Sequence, residues 1–557
     1  MTYDLRSLRL PRVGGGTLGL VATLLENAVT GAALRAKLLR DAGIDRLHHT
    51  RADEVPTYVP IHFVHGDGQR APLPLDMKRP LGAPRGFRFP SVADYARAYR
   101  EGRTTPDDVA RRLLDAIAAG EANDPPLRAV IRSDRNDVLS QARASTERWR
   151  AGRPLGAFDG VPVATKDEVD QVPYPTSVGT KFLGKHPARS DSTVVARMRA
   201  AGALLFGKTN MHEVGAGVTG LNIHHGTPRN PYAPAHHTGG SSSGSATAVA
   251  AGLCPVAIGA DGGGSIRIPA ALCGVFGLKP TFGRVSEYGA TPLCWSVAHL
   301  GAITGSATDS ALAYTVLAGP DPNDPMSLHQ PPPRFDDIGR EDLRGLVLGV
   351  YLPWLRHATA PIVSACEALL TRFRELGAEV RDIVIPELDA ARIGHAVTIG
   401  SEIAAAMLPY MAHNGDFSPE IRVNLALGRA FHSGDYVQAQ RIRTRAIAHF
   451  ARALSQVNAI ITPATAIPAP RIRSDALARG ESDLGMLDEL MRFAVPPNFT
   501  GHPAMSFPAG YDDAGLPLGV QAIGRPWEEH VLLRLALAAE RAVERRKPVL
   551  YWNPLGG

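Results

Sequence analysis

The sequence predicts an α/β fold from about residue 89 onward, because helical and strand patterns alternate along the chain. Residues 192–207 have a helical pattern that Gly202 ends, followed at once by an apolar strand pattern. Residues 362–385 show the same order around Gly377. No repeat of fixed period accompanies the alternation, so we expect a sheet covered by helices and not a solenoid.

Size and composition are those of a soluble chain with a large core. The 557 residues, with a mass of 59.3 kDa, exceed what one small core serves. Hydrophobic residues make up 44% and charged residues 20%, and the mean hydropathy of -0.07 is too low for a polytopic membrane protein. The 60 basic and 54 acidic residues are spread without a block of like charge, so no nucleic-acid partner is expected.

Residues 1–88 differ from the rest, and they predict an N-terminal helical extension with a connector, ahead of a main domain at 89–557. One or two helices are expected within 17–44, and 66–88 is the Pro/Gly-rich connector. The apolar side chains expected on one helical face are Leu18, Val21, Leu24, Leu25, Ala28 and Val29. Two interpretations stay open: the face packs on the main domain, or it lines an acyl entrance or rests on a membrane surface.

Cysteine and histidine usage predicts neither a disulfide framework nor a metal site, and no cofactor is expected. The four cysteines lie in apolar surroundings without a C-x-x-C pair: Cys254, Cys273, Cys294 and Cys366. Adjacent histidines such as His236 and His237 point apart and have no carboxylate at ligand spacing. Because the N-terminus also lacks a signal-peptide pattern, we expect a cytoplasmic location, with peripheral contact at membranes left open.

The most unusual stretch is the Gly/Ser-rich segment 239–283, which contains GGSSSGSA and DGGGSIRIPAALCG. A phosphate cradle is disfavoured because the Lys-Ser/Thr ending of a P-loop is missing. A nucleophile elbow matches formally at 240–244, but the elbow needs a preceding strand, and the prolines and histidines of 231–237 argue against one. A Ser-His-Asp triad is disfavoured because none of the 19 histidines is distinguished as its base.

A third interpretation joins the two serine loops to the lysine of GVPVATKD at 160–167. These segments, in this order, resemble the amidase signature family, whose two catalytic serines lie 24 positions apart, as Ser241 and Ser265 do. The likeness continues through KTNM at 208–211 and HPAMSFP at 502–508, so it covers about residues 90 to 540. It implies the family's fold, a large mixed β-sheet surrounded by helices.

The resemblance implies a Ser-Ser-Lys triad in which Ser265 is the nucleophile, Ser241 a proton relay and Lys166 the base. A lysine works as a base only when it is neutral, and lowering its pKa from about 10.4 to near 7 takes roughly 4 to 5 kcal/mol. Burial behind the apolar run 161–164 is expected to supply this bias. Asp261 and Arg267 are expected to pair and brace the nucleophile loop without taking part in proton transfer.

Three glycines precede Ser265 at the end of the strand pattern 256–259. Backbone without side chains can aim N–H groups at a carbonyl oxygen. We therefore expect an oxyanion hole formed by the backbone of Gly262, Gly263, Gly264 and Ser265. A tight turn is the alternative for such a run, but three glycines followed by a serine favour the oxyanion hole.

Within the family, the likeness is greatest to the plant-type fatty acid amide hydrolases, through DYARAYR at 94–100 and LMRF at 490–493. It implies a homodimeric serine amidohydrolase that cleaves fatty acid amides or N-acylethanolamines to a fatty acid and an amine. One departure is Ala260, where most members carry Thr. The alternatives are an amidase for smaller or aryl amides, an amidotransferase subunit, or a silent binding module. The last is disfavoured because all three triad residues are present.

Overall fold

The computed structural model of the chain describes residues 3–8, 10–27, 29–62 and 84–556. Its strands are β1 Val13–Gly14, β2 Arg85–Gly86, β3 Val130–Arg132, β4 Pro162–Lys166, β5 Leu204–Thr209, β6 Val256–Ala260, β7 Phe276–Lys279, β8 Leu300–Thr304, β9 Val347–Val350, β10 Glu379–Asp382, β11 Ala459–Pro463, β12 Glu481–Ser482, β13 Ala504–Tyr511, β14 Pro517–Gly524 and β15 Glu544–Arg545. Its α-helices are α1 Gly15–Glu26, α2 Gly31–Asp41, α3 Arg46–His49, α4 Val92–Arg100, α5 Pro106–Glu121, α6 Arg135–Arg150, α7 Thr193–Ala200, α8 Ser243–Ala250, α9 Arg267–Leu272, α10 Ala307–Leu317, α11 Leu352–Leu355, α12 Ala360–Glu375, α13 Leu388–Met407, α14 Pro419–Gly428, α15 Ser433–Leu454, α16 Leu484–Met491, α17 Val495–Thr500 and α18 Glu529–Ala542. Short 3-10 segments cover Glu213–Gly215, Pro325–Ser327, Leu408–Asp416 and Ser474–Ala476.

A mixed sheet of eleven strands runs through the part of the chain that the structure describes, in the order β10-β9-β11-β14-β13-β7-β8-β6-β4-β5-β3. The α/β fold with a large mixed sheet is therefore confirmed. β6, β4 and β5 are parallel neighbours, and the strands from β11 to β6 alternate in direction. Because β4 and β6 are parallel and adjacent, their carboxyl ends lie at the same edge of the sheet, which brings Lys166 beside Ala260.

Two short helices, α8 and α9, hold the loops that follow this edge. Both are buried along their whole length, and small side chains dominate α8. A Cβ atom on Gly244 would lie 2.4 Å from the backbone nitrogen of Asn210, so only glycine permits this close packing of α8. On the other half of the sheet, α18 lies buried against β13 and β14. The loops before α8 and α9 are thus fixed on a rigid support.

The two stretches that predict alternation fold as expected. Residues 193–200 form α7, Gly202 takes a φ of 86°, and β5 follows. In the second stretch, α12 ends before Gly377, which has a φ of 96°. The strand that follows, β10, ends at Asp382 and is therefore shorter than the pattern 380–385 indicates.

The N-terminal residues pack on the C-terminal half of the chain. α1 lies on α14, α3 lies on α13 and α15, and β1 pairs with β12 in antiparallel register. An ion pair between Glu26 and Arg422 joins α1 to α14. The expected helices within 17–44 are present as two, α1 and α2. The division at 88/89 stays a prediction, since most of the predicted connector 66–88 lies outside the described residues.

The buried face of α1 differs from the expected one. Leu18, Ala22 and Leu25 are buried against α14, whereas Leu24 is 39% exposed and Val29 is 86% exposed. Spacings of four and three residues place 18, 22 and 25 on one side of a helix, and residue 24 falls on another side. Val29 comes after the helix ends at Glu26. Ala28 lies outside the described residues.

Among the described residues, no single helix is both long and apolar enough to cross a membrane. The consecutive helices α1 and α2 have the length and composition of a span when they are taken together, but they are bent by 112° relative to each other.

Candidate active site

Lys166 is the last residue of β4, and it is 1% exposed. Every residue of this interior strand is buried, as is typical of parallel strands covered on both faces. The Nζ atom donates to Ser241 Oγ at 2.8 Å and to the Ala260 carbonyl oxygen at 3.2 Å. The burial predicted for this lysine is confirmed, and the structure joins it directly to the first serine loop.

Ser241 lies in the loop that leads into α8, after a cis peptide bond from Gly240. Its neighbour Ser242 ties this loop to the second one. The Ser242 hydroxyl donates to the Ala260 carbonyl at 3.1 Å, and the Ser242 N–H donates to the Ser265 carbonyl at 3.2 Å. The two serine loops therefore form one unit with the end of β6.

Ser265 stands between the glycine run and α9 and is 5% exposed. Its hydroxyl has no hydrogen-bond partner among the described residues, and the hydrogen bond from Lys166 ends at Ser241. The second link of the predicted relay, from Ser241 to Ser265, is open in this structure. Ser265 instead lines a cavity, where a substrate carbonyl can reach it.

The glycine run offers three free N–H donors, and not the expected four. The N–H of Gly264 donates to Asp261 Oδ1 at 2.6 Å, because the carboxylate at the start of the loop folds back over it. Gly262, Gly263 and Ser265 have N–H groups without an acceptor among the described residues. Gly264 has a φ of 120°, and its missing Cβ would lie 2.5 Å from Ile268 Cδ1. Gly264 therefore shapes the loop, and the prediction that it donates to the oxyanion is corrected.

Asp261 and Arg267 form the predicted buried pair. Arg267 Nε and Nη2 each donate to a different Asp261 oxygen at 3.0 Å, and both side chains are fully buried. Arg267 also donates to the Ala494 carbonyl at 2.9 Å and to Asn498 and Gln521. Burial opposes ionisation of Asp261, but the charge of Arg267 outweighs it and holds the pKa of this carboxyl well below its usual value. The pair ties the nucleophile loop to α17 and β14.

A cavity of about 250 Å³ reaches Ser265 and Gly263. Most of its lining is aliphatic and comes from the N-terminal segment, the 215–218 loop, α13, α14 and α16. The large aliphatic side chains of this lining include Leu8, Leu39, Ile44, Ile399, Ile403, Leu487 and Met491. The few polar residues include Arg392, His395 and Asp488.

The model of the amidase family matches residues 110–533, which include Lys166, both serine loops and Arg267 but not the N-terminal residues of the cavity lining. The chain belongs to the amidase signature family. It is 38% identical to the fatty acid amide hydrolase of Arabidopsis thaliana, over 99% of this chain and 96% of that protein. It is 34% identical to one subunit of the glutamyl-tRNA(Gln) amidotransferase of Thermosynechococcus vestitus, over 78% of this chain and 94% of that one. Among solved structures, a bacterial aryl acylamidase of the same family aligns with a TM-score of 0.74 and 29% identity, over 82% of this chain and 97% of that chain.

Two side chains at the site of this amidase were not predicted. Glu168 Oε2 lies 2.7 Å from Lys166 Nζ, and His395 Nε2 lies 2.8 Å from the Gly262 carbonyl. A carbonyl only accepts, so Nε2 of His395 carries the proton, and burial lowers the pKa of this histidine to about 4. The sequence could have pointed to Glu168, because a carboxylate two residues after a predicted base at a strand end is close to that base along the chain. His395 lies in the middle of α13, and no motif in the sequence around it indicates a role at the site.

The structure of this amidase also argues against the nucleophile-elbow interpretation of residues 240–244. No strand directly precedes the formal elbow at 240–244 among the described residues, and the hydroxyl of Ser242 is bound to β6.

A second buried lysine, Lys208 on β5, donates to the Val169 carbonyl at 2.7 Å and faces Asp167 at 3.6 Å. Its amine has no hydrogen bond or ion pair with either serine loop. Burial lowers the pKa of Lys208, but its neighbours give it a bracing role beneath the site.

Proposed function

We propose that this amidase hydrolyses linear acyl amides, such as fatty acid amides and N-acylethanolamines, to a fatty acid and an amine. The observation that carries the proposal is the largely aliphatic cavity that reaches Ser265. Such a lining favours an alkyl chain over a strongly polar acyl group, by about 0.8 kcal/mol for each CH₂ group that leaves water.

In the proposed reaction, Ser265 Oγ attacks the carbonyl carbon of the amide and forms a tetrahedral intermediate. The negative charge develops on the former carbonyl oxygen. The N–H groups of Gly262, Gly263 and Ser265 are the donors that stabilise it, and their lack of any other acceptor among the described residues supports this role. His395 holds the carbonyl of Gly262 and so fixes the plane of the following peptide group.

The proton of Ser265 passes to Ser241 while the proton of Ser241 passes to the neutral amine of Lys166. The resulting ammonium returns a proton by the same route to the amide nitrogen, and the C–N bond breaks. Water then attacks acyl-Ser265 with the same base and releases the fatty acid. The 2.8 Å contact between Lys166 and Ser241 supports the first link. The open link to Ser265 is one that substrate binding is expected to close, as catalytic hydrogen bonds often tighten in the Michaelis complex.

The relatives support this substrate class and supply its rivals. The match to the plant fatty acid amide hydrolase covers nearly the whole of both chains. The matches to the aryl acylamidase and to the amidotransferase cover 82% and 78% of this chain. Small aryl amides are therefore the second candidate substrate, and glutamine-dependent amide transfer is the third candidate activity.

A substrate panel separates these activities. The purified full-length chain is assayed with ethanolamides from acetyl to oleoyl, with an acetyl anilide, and with glutamine as amide donor. We expect kcat/KM to rise with acyl length and turnover to need no other protein. A preference for the acetyl anilide would replace the proposal with the aryl amidase, and dependence on partner chains would replace it with the transferase.

We also propose peripheral contact with membranes through the N-terminal segment. Leu20 and Leu408 are 60% and 62% exposed, and α1 lies beside the 408–416 segment through a 2.7 Å hydrogen bond from Asn414 to Glu26. Large apolar side chains exposed on two neighbouring segments favour an interaction surface. The full chain should float with phosphatidylcholine vesicles, and Leu20→Asp with Leu408→Asp should remain unbound. Val549→Asp is the control and should float like the wild type, since Val549 is more exposed, at 73%, but lies outside these two segments. A wild-type chain that never floats contradicts the proposal.

The homodimer and the cytoplasmic location stay predictions of the sequence. Light scattering of the purified chain measures the first, and fractionation of the source cells measures the second.

A further inference from the structure

Three oxygen atoms surround the amine of Lys166, and one of them belongs to a carboxylate. Glu168 Oε2 lies 2.7 Å from Nζ, beside Ser241 Oγ at 2.8 Å and the Ala260 carbonyl at 3.2 Å. Among the described residues, Glu168 supplies the one carboxylate within 4.0 Å of this nitrogen. Both side chains are almost fully buried, at 1% and 7% exposure. Water therefore screens this contact little.

The local fold explains the contact. A turn closes over residues 166–169, with the Val169 N–H donating to the Lys166 carbonyl at 3.0 Å. The turn brings Glu168 back to the lysine that precedes it by two residues. Asp167, between them, is bound instead by the Ser177 hydroxyl and by the Gly179 N–H at 3.1 Å. The chain thus separates two consecutive carboxylates, and it aims one of them at the base.

The three oxygens also define where the lone pair of a neutral amine points. A neutral amine has two N–H bonds and one lone pair. The Ala260 carbonyl and the Glu168 carboxylate only accept hydrogen bonds, so they take the two N–H bonds. The lone pair then faces Ser241 Oγ, the atom whose proton it has to receive, so in the neutral form Ser241 donates across the 2.8 Å contact and Nζ accepts. Without Glu168, one N–H would be free to turn toward Ser241.

The charge of Glu168 matters in the next step. When the amine accepts the proton, a cation forms in a site that is closed to water, where an unpaired charge is costly. A carboxylate at 2.7 Å compensates that charge and accepts a charge-assisted hydrogen bond from the ammonium. The proton itself stays on Lys166 until it returns to the leaving amine, and no proton passes to Glu168.

We infer that Glu168 is a positioning residue of this amidase, which orients the Lys166 amine and stabilises the ammonium formed during acylation. The inference rests on the proposed assignment of Lys166 as the base. It gives the Ser-Ser-Lys arrangement a fourth member that touches the base and not the substrate.

The other ionisable groups around the pair do not take this place. Burial raises the pKa of Cys294 and of Glu287 well above their usual values, and neither is among the hydrogen-bond or ion-pair partners of Lys166 Nζ. Burial also raises the pKa of Glu402, which is bound by Ser296 and Tyr436. Asp167 faces Lys208. Glu168 is therefore the carboxylate whose removal should change the behaviour of Lys166.

The test is the pH profile of kcat/KM for amide hydrolysis in Glu168→Gln, which keeps the shape and removes the charge. We expect a loss of about 10- to 100-fold on the high-pH plateau, the size expected when one charge-assisted hydrogen bond is lost. The rising limb should move to lower pH by about one unit or more, because the ammonium loses its anionic partner and gives up its proton more readily. Glu168→Asp should restore the pH at which the limb rises and part of the kcat/KM value on the plateau. Glu287→Gln is the matched control, since it removes a partly buried carboxyl group that forms no ion pair with Lys166, and the rising limb of its pH profile should stay in place.

A uniform loss at every pH with an unmoved limb would overturn the inference, because it would show a purely structural role. So would unchanged activity, or a limb in Glu168→Asp that moves as far as in Glu168→Gln. Labelling by a fluorophosphonate and the melting temperature check that each variant is folded.

A double variant separates failure of the inference from failure of the proposed function. In a Lys166→Ala background, Glu168→Gln should change hydrolysis of an activated aryl ester by less than about twofold, since Glu168 acts through the lysine. A full additive loss would contradict the inference. If Lys166→Ala alone keeps near-native amide hydrolysis, the proposed base is wrong. If Lys166→Ala is inactive and the rising limb of Glu168→Gln is unmoved, the role inferred for Glu168 is wrong, and the assignment of Lys166 as the base stands.

Discussion

The proposed catalytic cluster and the cavity wall of this amidase are built in opposite ways. The cluster lies at the ends of two adjacent parallel strands, and hydrogen bonds of 2.8 to 3.2 Å join Lys166, Ser241, Ser242 and Ala260. The wall is assembled from distant segments, with Leu8 and Ile44 near the N-terminus facing Ile399 and Met491. The cluster is polar and fully packed, and the wall is aliphatic and encloses a space. The difference predicts that substitutions in the cluster change the rate for every amide, whereas substitutions in the wall change the choice of amide.

The strongest test of the cluster is Ser265→Ala. Turnover of every amide should fall to background, and fluorophosphonate labelling should disappear, because the attacking oxygen is gone. Mass spectrometry of the labelled wild-type chain locates the modified residue. A label on Ser242 would contradict the assignment of Ser265 as the nucleophile and would support the nucleophile-elbow interpretation of residues 240–244.

Lys166→Ala should have the next largest effect, with amide hydrolysis at neutral pH falling by about 10² to 10⁴-fold. Part of the loss should return at high pH, where hydroxide replaces the base. The rate profile against pH measures this recovery. If long and short amides lost activity to different extents, the separation between cluster and wall would fail.

Asp261→Asn should lower the stability of the fold that holds the cluster more than it lowers the rate of hydrolysis. Removing one partner of a buried ion pair costs about 3 to 5 kcal/mol of the free energy of unfolding. Because Arg267 lowers the pKa of Asp261, this stabilisation is present at neutral pH and should decline as the pH falls below the usual value for Asp, near 4. Urea unfolding at pH 7 and at acid pH measures both. The exposed Asp53, paired with Arg51, is the control, and Asp53→Asn should leave the unfolding midpoint unchanged.

Substitution in the wall should have the smallest effect and the most selective one. Leu39→Ala with Ile44→Ala removes apolar contact from the cavity, so KM for a long-chain amide should rise by about tenfold or more, while an acetyl anilide is unaffected. Leu24→Ala is the control, since Leu24 is outside the cavity lining. Equal losses on both substrates would show that α2 and the residues after it only pack on the amidase.

The nucleophile loop after β6 could be predicted from the sequence because its contacts are local. A strand followed by glycines and a serine places backbone donors beside a nucleophile, and Asp261 lies only six residues before its partner Arg267. Local hydrogen bonds of this kind depend on residue type and spacing, which are visible in one chain. The correction at Gly264 came from the same loop, since the carboxylate that pairs with Arg267 also takes an N–H group.

The sequence by itself determined the α/β fold, the family and the residues that carry the proposed chemistry. Only the tertiary structure decided which side of α1 is buried, which segments enclose the cavity, and that Glu168 and His395 reach Lys166 and Gly262. The physical reason for the cavity and for His395 is distance along the chain, whereas Glu168 is brought back to Lys166 by the conformation of the turn over 166–169. Apolar burial is non-directional, so many apolar residues are equal candidates for a wall, and the choice depends on how segments hundreds of residues apart pack together. His395, 133 residues from Gly262, has no local pattern that points to it.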